Sequence, residues 1–168
     1  MQLFIERIRT PIGAMLITHD GDVICNTEFE DCDRRDRELA QHFPKATFTR
    51  AKSRSAFADA LERYFKGEIR VIDKLPVAKI GTPFQQRAWA ALRKIKAGET
   101  RSYAEQAQSI GLPLAARAVG RANALNPNAI IVPCHRVRGA SGNLTGYGGG
   151  IERKRWLIAH EARYAAKA

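Results

Sequence analysis

Two helix-start patterns in the second half of this 168-residue chain constrain its fold more than any other feature. Thr82-Pro83-Phe84-Gln85 places a capping residue, a proline at the first helical position and a glutamine three residues after the cap. Ser102-Tyr103-Ala104-Glu105 is a second capping box, built from serine and glutamate. Such side chains satisfy backbone N–H groups that the first helical turn leaves without partners. The patterns therefore predict two helices with fixed starting residues.

The residues that follow Ser102 predict a helix-turn-helix. The helix that begins there is expected to run to about Ile110, where Gly111-Leu112-Pro113 makes a tight turn. A further helix is predicted over residues 114–125. Two short helices joined by a glycine-containing turn are typical of this motif, although simple helical hairpins share the pattern.

The first 80 residues predict a small antiparallel sheet with accompanying helices. Asp20-Gly21 favours a hairpin between two strand-like segments. Charge-dense residues 30–42 predict one helix, apolar residues at helical spacing over 57–65 predict another, and residues 71–77 look extended. The predicted strands are residues 3–5, 14–18 and 23–28. The fold class is thus α/β in the broad sense, more strictly α+β, with a mainly helical second half.

Charge is divided unequally along the chain, and the composition changes near Gly81. Residues 1–80 contain 14 Lys/Arg and 13 Asp/Glu, a net charge of +1, whereas residues 81–168 contain 14 and 4, a net charge of +10. One-sided positive charge is typical of proteins that bind polyanions. Arg117 and Arg121, one turn apart on the predicted second helix, favour DNA. A basic surface kept for solubility is the alternative.

Cys134 is the cysteine with a neighbour that can activate it. It follows an apolar run and precedes His135 and Arg136, so we expect it at the end of a buried strand or extended segment. A thiolate is the nucleophile, and it needs a base or a positive charge to form near neutral pH. Neighbouring side chains of an extended chain point to opposite faces, so a water would relay the proton to His135. The alternative is a small core cysteine beside a surface histidine.

A glycine-rich loop over residues 141–150 opens a C-terminal helix that is expected to reach about Arg163. Its glycines permit close backbone approach to a ligand. The spacing matches neither a dinucleotide-binding nor a Walker A motif. Tyr147 inside the loop suggests a pocket wall, and Glu161 is one of four carboxylates in this half. That carboxylate is expected to be a solvated or paired charge unless it orients a histidine.

Four side chains in the first half are candidate metal ligands: His19, Cys25, Cys32 and His42. No pair has the close spacing of a structural zinc site, so we expect neither a metal nor another cofactor. Three cysteines do not make a disulfide framework. We see no signal peptide and no apolar run near the ~20 residues of a membrane helix. We therefore expect a cytoplasmic globular protein.

Several motifs together resemble the O6-alkylguanine-DNA alkyltransferases, also called methylated-DNA–protein-cysteine methyltransferases. Pro133-Cys134-His135-Arg136-Val137 resembles the active-site signature of that family. The resemblance covers about residues 80–162 closely and the first 80 residues only loosely. The other matching motifs are Arg117-Ala118-Val119-Gly120, Asn126-Pro127, Gly146-Tyr147-Gly148-Gly149 and residues 154–161.

The resemblance implies a DNA repair protein. It would rotate O6-alkylguanine out of double-stranded DNA and transfer the alkyl group irreversibly to its own Cys134, so that each molecule acts once. His135 would be the base, acting through water, and Glu161 would orient that histidine. Asn126 would tie the recognition helix to the active-site segment.

The resemblance also implies roles in DNA binding. Tyr103 would crowd the phosphate and donate to the flipped base, and Arg117 would fill the vacated stack from the minor groove. Tyr147 and Gly148 would line the pocket, and backbone groups near Val137 and Gly148 would contact the guanine edge. The expected DNA-contacting arginines are Arg101, Arg117, Arg121 and Arg136.

Two other functions stay open on the sequence alone. An alkyltransferase-like protein binds lesions without chemistry, but it lacks the cysteine that stands here at position 134. A cysteine hydrolase or acyltransferase would use Cys134 and His135, but no oxyanion arrangement is evident. We expect a monomer in solution and no membrane partner. Repair of O4-alkylthymine and cooperative assembly along DNA stay open.

Overall fold

The structure, a computed structural model, describes residues 1–167 and contains two compact units. The first unit comprises Met1–Ile80 and Pro127–Ile131, and the second comprises Gly81–Asn126 and Val132–Ala168. The chain therefore returns to the first unit for a short segment before it completes the second. In the described chain, no helix is both long and apolar enough to cross a membrane.

The first unit is built on a four-stranded sheet with the strand order β3-β2-β1-β4. Its strands are β1 (Gln2–Ile8), β2 (Met15–His19), β3 (Ile24–Phe29) and β4 (Thr47–Arg50). The first three form the predicted antiparallel meander, with Phe4 opposite His19 in the β1–β2 pair. Strand β4 was not predicted, and it pairs parallel with β1, placing Leu3 opposite Phe48. The sheet is therefore mixed at one edge.

Two helices, α1 (Arg35–His42) and α2 (Ala56–Phe65), accompany this sheet. The Ser55 side chain caps α2 by accepting a hydrogen bond from the backbone N–H of Ala58. Phe57, Leu61 and Tyr64 lie on the buried face of α2, as their helical spacing predicts. The apolar stripe thus becomes part of the core of the first unit.

The prediction of an extended segment over residues 71–77 is wrong for most of its length. Residues 69–74 form consecutive turns, in which the N–H of Val71 bonds to Glu68 and that of Asp73 to Arg70. Ile69 and Ile72, three residues apart, are buried by this winding. Only the end of the segment is extended, where Val77 forms a parallel bridge with Ile24.

The returning segment Pro127–Ile131 is held in the first unit by Thr27 of β3. The backbone N–H of Thr27 donates to the carbonyl of Pro127 at 3.1 Å, and the N–H of Ala129 donates back to Thr27 at 2.9 Å. The Thr27 hydroxyl adds a 2.7 Å hydrogen bond to the carbonyl of Ala129. Ile130 adopts φ of +73°, a conformation that is strained for a β-branched residue.

The second unit is mainly helical, as predicted. It contains α3 (Pro83–Arg93), β5 (Arg101–Ser102), α4 (Tyr103–Ser109), α5 (Ala116–Ala124), a 3₁₀ helix (Cys134–Arg136), β6 (Val137–Arg138) and α6 (Ile151–Ala165). Strands β5 and β6 form one short parallel pair. Both predicted capping boxes are present, at Thr82 with Gln85 and at Ser102 with Glu105.

Helices α4 and α5 form the predicted helix-turn-helix, and α3 packs against both of them. The side-chain amides of Gln106 on α4 and Asn123 on α5 exchange two hydrogen bonds, at 3.0 and 2.7 Å. The Trp89 indole of α3 donates to the carbonyl of Ala122 on α5 at 2.8 Å. These buried contacts fix the position of α5 relative to the rest of the second unit.

The segment before Cys134 was predicted to be a strand or an extended segment, and in the structure residues 129–131 form turns instead. Pro133 has no backbone N–H to donate to a neighbouring strand, so local hydrogen bonds form instead. The N–H of Cys134 bonds to Val132 and that of Arg136 to Pro133, which winds residues 134–136 into the 3₁₀ helix. Neighbouring side chains therefore point in three directions about a helix axis instead of to two opposite faces.

We predict that Gly98→Ala destabilises the second unit more than Gly111→Ala. Both glycines have positive φ, +91° and +76°. An added Cβ at Gly98 would lie 2.5 Å from the Cβ of Ala165. At Gly111, no described atom beyond the adjacent residues lies within 4 Å of an added Cβ. The unfolding free energy should fall by about 2–5 kcal/mol for Gly98→Ala and about 1–2 kcal/mol for Gly111→Ala.

Urea unfolding followed by tryptophan fluorescence measures this difference. Trp89 and Trp156 are the two tryptophans of the chain, and both belong to the second unit. Equal losses for the two variants would contradict the predicted close contact at Gly98.

Candidate active site and nucleic-acid interface

The 3₁₀ helix presents Cys134 toward the surface and turns the next two side chains inward. Cys134 is half-buried, whereas His135 and Arg136 retain 0% and 2% of their exposure. A buried histidine and a buried arginine require polar partners inside the unit. These partners define the candidate active site.

Glu161 on α6 binds both inward side chains. Its Oε1 atom lies 2.7 Å from Nε2 of His135 and 2.9 Å from Nη2 of Arg136, and its Oε2 atom accepts from Nε of Arg136 at 2.9 Å. Arg136 also donates from Nη1 to the carbonyl of Ile95 at 2.6 Å. The carboxylate is 1% exposed, so three buried polar groups compensate one another.

This cluster determines the protonation of His135. Burial by itself would raise the pKa of Glu161, but the hydrogen bonds from His135 and Arg136 and the positive charge of Arg136 hold that pKa well below its usual range. Burial lowers the pKa of His135, and the Glu161 carboxylate opposes that shift only in part. The imidazole is therefore neutral near pH 7, with its proton on Nε2 facing Glu161. Within the described residues, its Nδ1 atom has no hydrogen-bond partner.

Arg136 was expected to contact DNA, and this prediction is wrong. Its guanidinium is buried against Glu161 and the Ile95 carbonyl, so its charge is used inside the protein. The physical reason is the cost of burying Glu161, because an ionised carboxylate inside a protein needs a cation beside it.

Lys154 is a site residue that the sequence analysis missed. It has 0% exposure, and its Nζ atom donates to the carbonyl of Thr145 at 2.8 Å. Burial lowers the pKa of Lys154, while the neighbouring Cys134 raises it. The helical spacing of Lys154, Leu157 and Glu161 could have revealed it, since all three lie on the buried face of α6.

The Thr145 carbonyl in the glycine-rich loop accepts hydrogen bonds from both Tyr103 and Lys154. The Tyr103 hydroxyl donates to Thr145 at 3.3 Å, so Thr145 receives hydrogen bonds from both α4 and α6. The Tyr103 ring also lies over α5, 3.6 Å from where a Cβ on Gly120 would stand. Lys154 lies 5.9 Å from the centre of that ring. Tyr103 and Lys154 thus lie beside the loop that contains Tyr147.

The other predicted pocket residues lie in the same unit. Tyr147 is half-buried and Gly148 is exposed. Val137 as a whole residue has 0% exposure. Asn126 is buried and donates from Nδ2 to the carbonyl of Val132 at 2.7 Å, which links the end of α5 to the segment before Cys134.

Three of the four predicted DNA-contacting arginines are exposed. Arg117 and Arg121 stand one turn apart on α5. Arg101, in β5, lies 3.2 Å from Glu99 in an exposed ion pair. Exposed ion pairs are weak, so this one leaves Arg101 available to a polyanion.

Two of the four metal candidates of the first half, His19 and Cys25, are buried. His19 is buried, not on the surface, and its ring lies between those of Phe4 and Phe57, with Nε2 3.0 Å from Glu6. Burial raises the pKa of Cys25 to about 11. Among residues 1–167, no three His, Cys, Asp or Glu side chains are grouped so that they could hold a metal.

Comparison with known families covers nearly the whole chain. Residues 3–78 match the ribonuclease-like domain of 6-O-methylguanine DNA methyltransferase, and residues 83–163 match its DNA binding domain. The chain belongs to this family. The resemblance predicted from the motifs is confirmed, and it extends through the first half.

Individual members of the 6-O-methylguanine DNA methyltransferase family are similar over most of their length. A methylated-DNA–protein-cysteine methyltransferase of Shigella flexneri is 42% identical over 165 residues, 96% of each chain. One from Mycobacterium tuberculosis is 48% identical over 157 residues, covering 92% of this chain and 89% of that one. A crystal structure of Mycobacterium tuberculosis OGT in complex with DNA has a TM-score of 0.81 at 43% identity, covering 98% and 94%. The predicted α+β fold is confirmed.

We predict that Glu161→Gln lowers the unfolding free energy of the second unit by about 3–5 kcal/mol at pH 7, because it leaves Arg136 buried without a counter-charge. The native pKa of Glu161 is lowered, so its contribution is present above the ordinary carboxyl pKa and is lost as the pH falls. The native pKa of His135 is also lowered, so the unfolded state gains protons first below about pH 6.5.

Urea unfolding at several pH values measures both effects. Wild-type stability should decline from about pH 6.5 and more steeply below about pH 4.5, and the steeper decline should be reduced in Glu161→Gln. Glu152→Gln is the matched control, because the Glu152 side chain on the same helix is 90% exposed. A similar pH profile for Glu161→Gln and Glu152→Gln would contradict the buried ion cluster.

Proposed function

We propose that this protein repairs alkylated DNA by moving the alkyl group from O6 of guanine to the sulfur of Cys134. The observation that carries this proposal is a half-buried cysteine beside a buried histidine. The Nδ1 atom of that histidine lacks a hydrogen-bond partner within the described residues, and its Nε2 atom bonds to Glu161. In the transfer, an S–C bond forms, the C–O6 bond breaks, and the guanine takes up a proton. The thioether is stable, so each molecule acts once.

Activation of the thiol follows from the protonation state of His135. The unprotonated Nδ1 atom of His135 acts as a general base and accepts the Cys134 proton through a water. The imidazolium that forms is stabilised by the Glu161 carboxylate, 2.7 Å from Nε2. The buried ammonium of Lys154 stabilises the thiolate, since a cation near a cysteine favours its reactive form.

The target base must leave the duplex to reach this thiol. We assign α5 as the recognition helix, with Arg117 filling the space that the flipped guanine leaves. Tyr103 borders the receiving pocket together with Tyr147 and Gly148. The hydrogen bond from Asn126 to Val132 supports this assignment, because it links the end of α5 to the residues just before Cys134.

Double-stranded DNA carrying the lesion is the proposed partner of the second half. We assign residues 81–168, with their net charge of +10, to DNA binding and alkyl acceptance. Residues 1–80 are assigned a structural role, consistent with a net charge of +1. We propose that the protein acts in the cytoplasm and is a monomer in solution. Extension to O4-alkylthymine and cooperative assembly along DNA are to be tested with the same duplex assays.

We predict that Cys134→Ser abolishes alkyl transfer and binds DNA like wild type, because the thiolate serves the chemistry and not the electrostatic contact. Intact-protein mass spectrometry after mixing with an O6-methylguanine duplex should give one methyl adduct on the wild type, without turnover, and none on Cys134→Ser. A methyl group on Cys25 or Cys32, or transfer that survives the substitution, would contradict the assignment.

We predict that Arg117→Ala slows repair of duplex DNA about 10- to 100-fold, because holding a base outside the duplex costs a few kcal/mol. Reaction with free O6-alkylguanine should proceed at the wild-type rate. Arg121→Ala, one turn away on α5, is the control and should weaken duplex binding without this rate defect. If Arg117→Ala slowed the reaction with both substrates equally, the defect would lie in the pocket or in folding.

A further inference from the structure

The turn between α4 and α5 exposes two leucines. Leu114 is 99% exposed and Leu112 is 36% exposed, and Pro113 between them is exposed as well. Isolated apolar residues on a surface are common. Leu114 differs because almost its entire side chain stands in solvent, three residues before Arg117, at the start of the proposed recognition helix.

Backbone hydrogen bonds hold this turn on both sides. The N–H of Gly111 bonds to Gln108 and that of Leu112 to Ala107, both at 3.0 Å, which closes the end of α4. The N–H of Ala115 then bonds to Leu112 at 2.9 Å. Leu114 therefore projects from a fixed backbone, and a contact made there loses less conformational entropy than one made by a mobile loop.

The charges around the turn select the kind of partner. Residues 106–151 contain no Asp or Glu, and Arg117 and Arg121 are exposed nearby on α5. A second copy of this unit would bring another net charge of +10 to the same surface and be repelled. A polyanion that also offers apolar surface fits both features, and duplex DNA does so through its deoxyribose faces and base edges.

We propose that Leu114 is an apolar DNA contact that packs into the groove beside the flipped nucleotide, next to Arg117. Proteins that open or kink a duplex from the minor groove often insert leucine or similar side chains at a base step. This inference rests on the proposed function, because it assumes that α5 approaches damaged duplex DNA. It assigns to Leu114 a positioning role that is independent of charge.

The test separates an apolar contact from an ionic one. Affinity for an O6-methylguanine duplex is measured over a range of salt concentrations for Leu114→Ser, Leu114→Met and Arg121→Ala. We expect Leu114→Ser to bind about tenfold more weakly at every salt concentration, the scale of a lost apolar contact, with an unchanged salt slope. Leu114→Met should bind like wild type. Arg121→Ala should instead lower the slope by about one.

Phe48→Ala is the matched control, because Phe48 is an exposed apolar residue (42%) of β4, in the nearly neutral first unit. It should bind DNA like wild type. Leu114→Ser should react with free O6-alkylguanine at the wild-type rate and should unfold at the wild-type urea concentration.

Three results would overturn the inference: wild-type affinity of Leu114→Ser, a changed salt slope, or a change in the sedimentation of the free protein that indicates contact between copies. Failure of the proposed function is a separate result. In that case, even the wild type would gain no methyl group on Cys134 from either substrate.

Discussion

The burial of Glu161 is the constraint on which the second unit depends. A carboxylate taken out of water is tolerated only where cations and hydrogen-bond donors replace the lost hydration. Arg136 supplies two of these hydrogen bonds and extends to the Ile95 carbonyl. One carboxylate therefore joins α6, the 3₁₀ helix and the chain just after α3, and removal of any partner leaves a buried charge behind.

The same constraint determines the chemistry that Cys134 can perform. Because the ionised carboxylate requires a donor from His135 Nε2, the basic lone pair of the imidazole must be on Nδ1. The Thr145 carbonyl organises the opposite side of the site by accepting from Tyr103 and from Lys154. A tyrosine, a lysine and a glycine-rich loop are thereby kept together without a regular secondary structure in the loop.

Features encoded by neighbouring residues were predictable from the sequence, and features decided by distant contacts were not. The capping boxes at Thr82 and Ser102 need only residues three positions apart, so the helix starts were predicted correctly. Strand β4 was missed because all four of its residues are exposed and its partner β1 is more than 40 residues away. No alternation of apolar and polar burial marks it.

The candidate site shows the same difference between features encoded by neighbouring residues and features decided by distant contacts. Cys134 and His135 were predicted as site residues because their residue types can carry the proposed chemistry. Arg136 was misassigned and Lys154 was missed for one reason, since a sequence shows a positive charge but not whether that charge is buried. Lys154 stands between Arg153 and Arg155, and neither neighbour is buried as it is. Only the three-dimensional packing distinguishes the buried Lys154 from these two arginines.

The return of Pro127–Ile131 to the first unit limits how this protein can be divided or recombined. A single cut after Ile80 would remove from the first unit a segment that Thr27 binds through three hydrogen bonds. The fragment from residue 81 onward would carry the buried, apolar Ile130 and Ile131 without their packing partners. Chimeras that exchange whole units with a relative therefore need three junctions, near residues 80, 126 and 131. A fusion made at residue 80 alone would leave the segment Pro127–Ile131 of one protein without the rest of its own first unit.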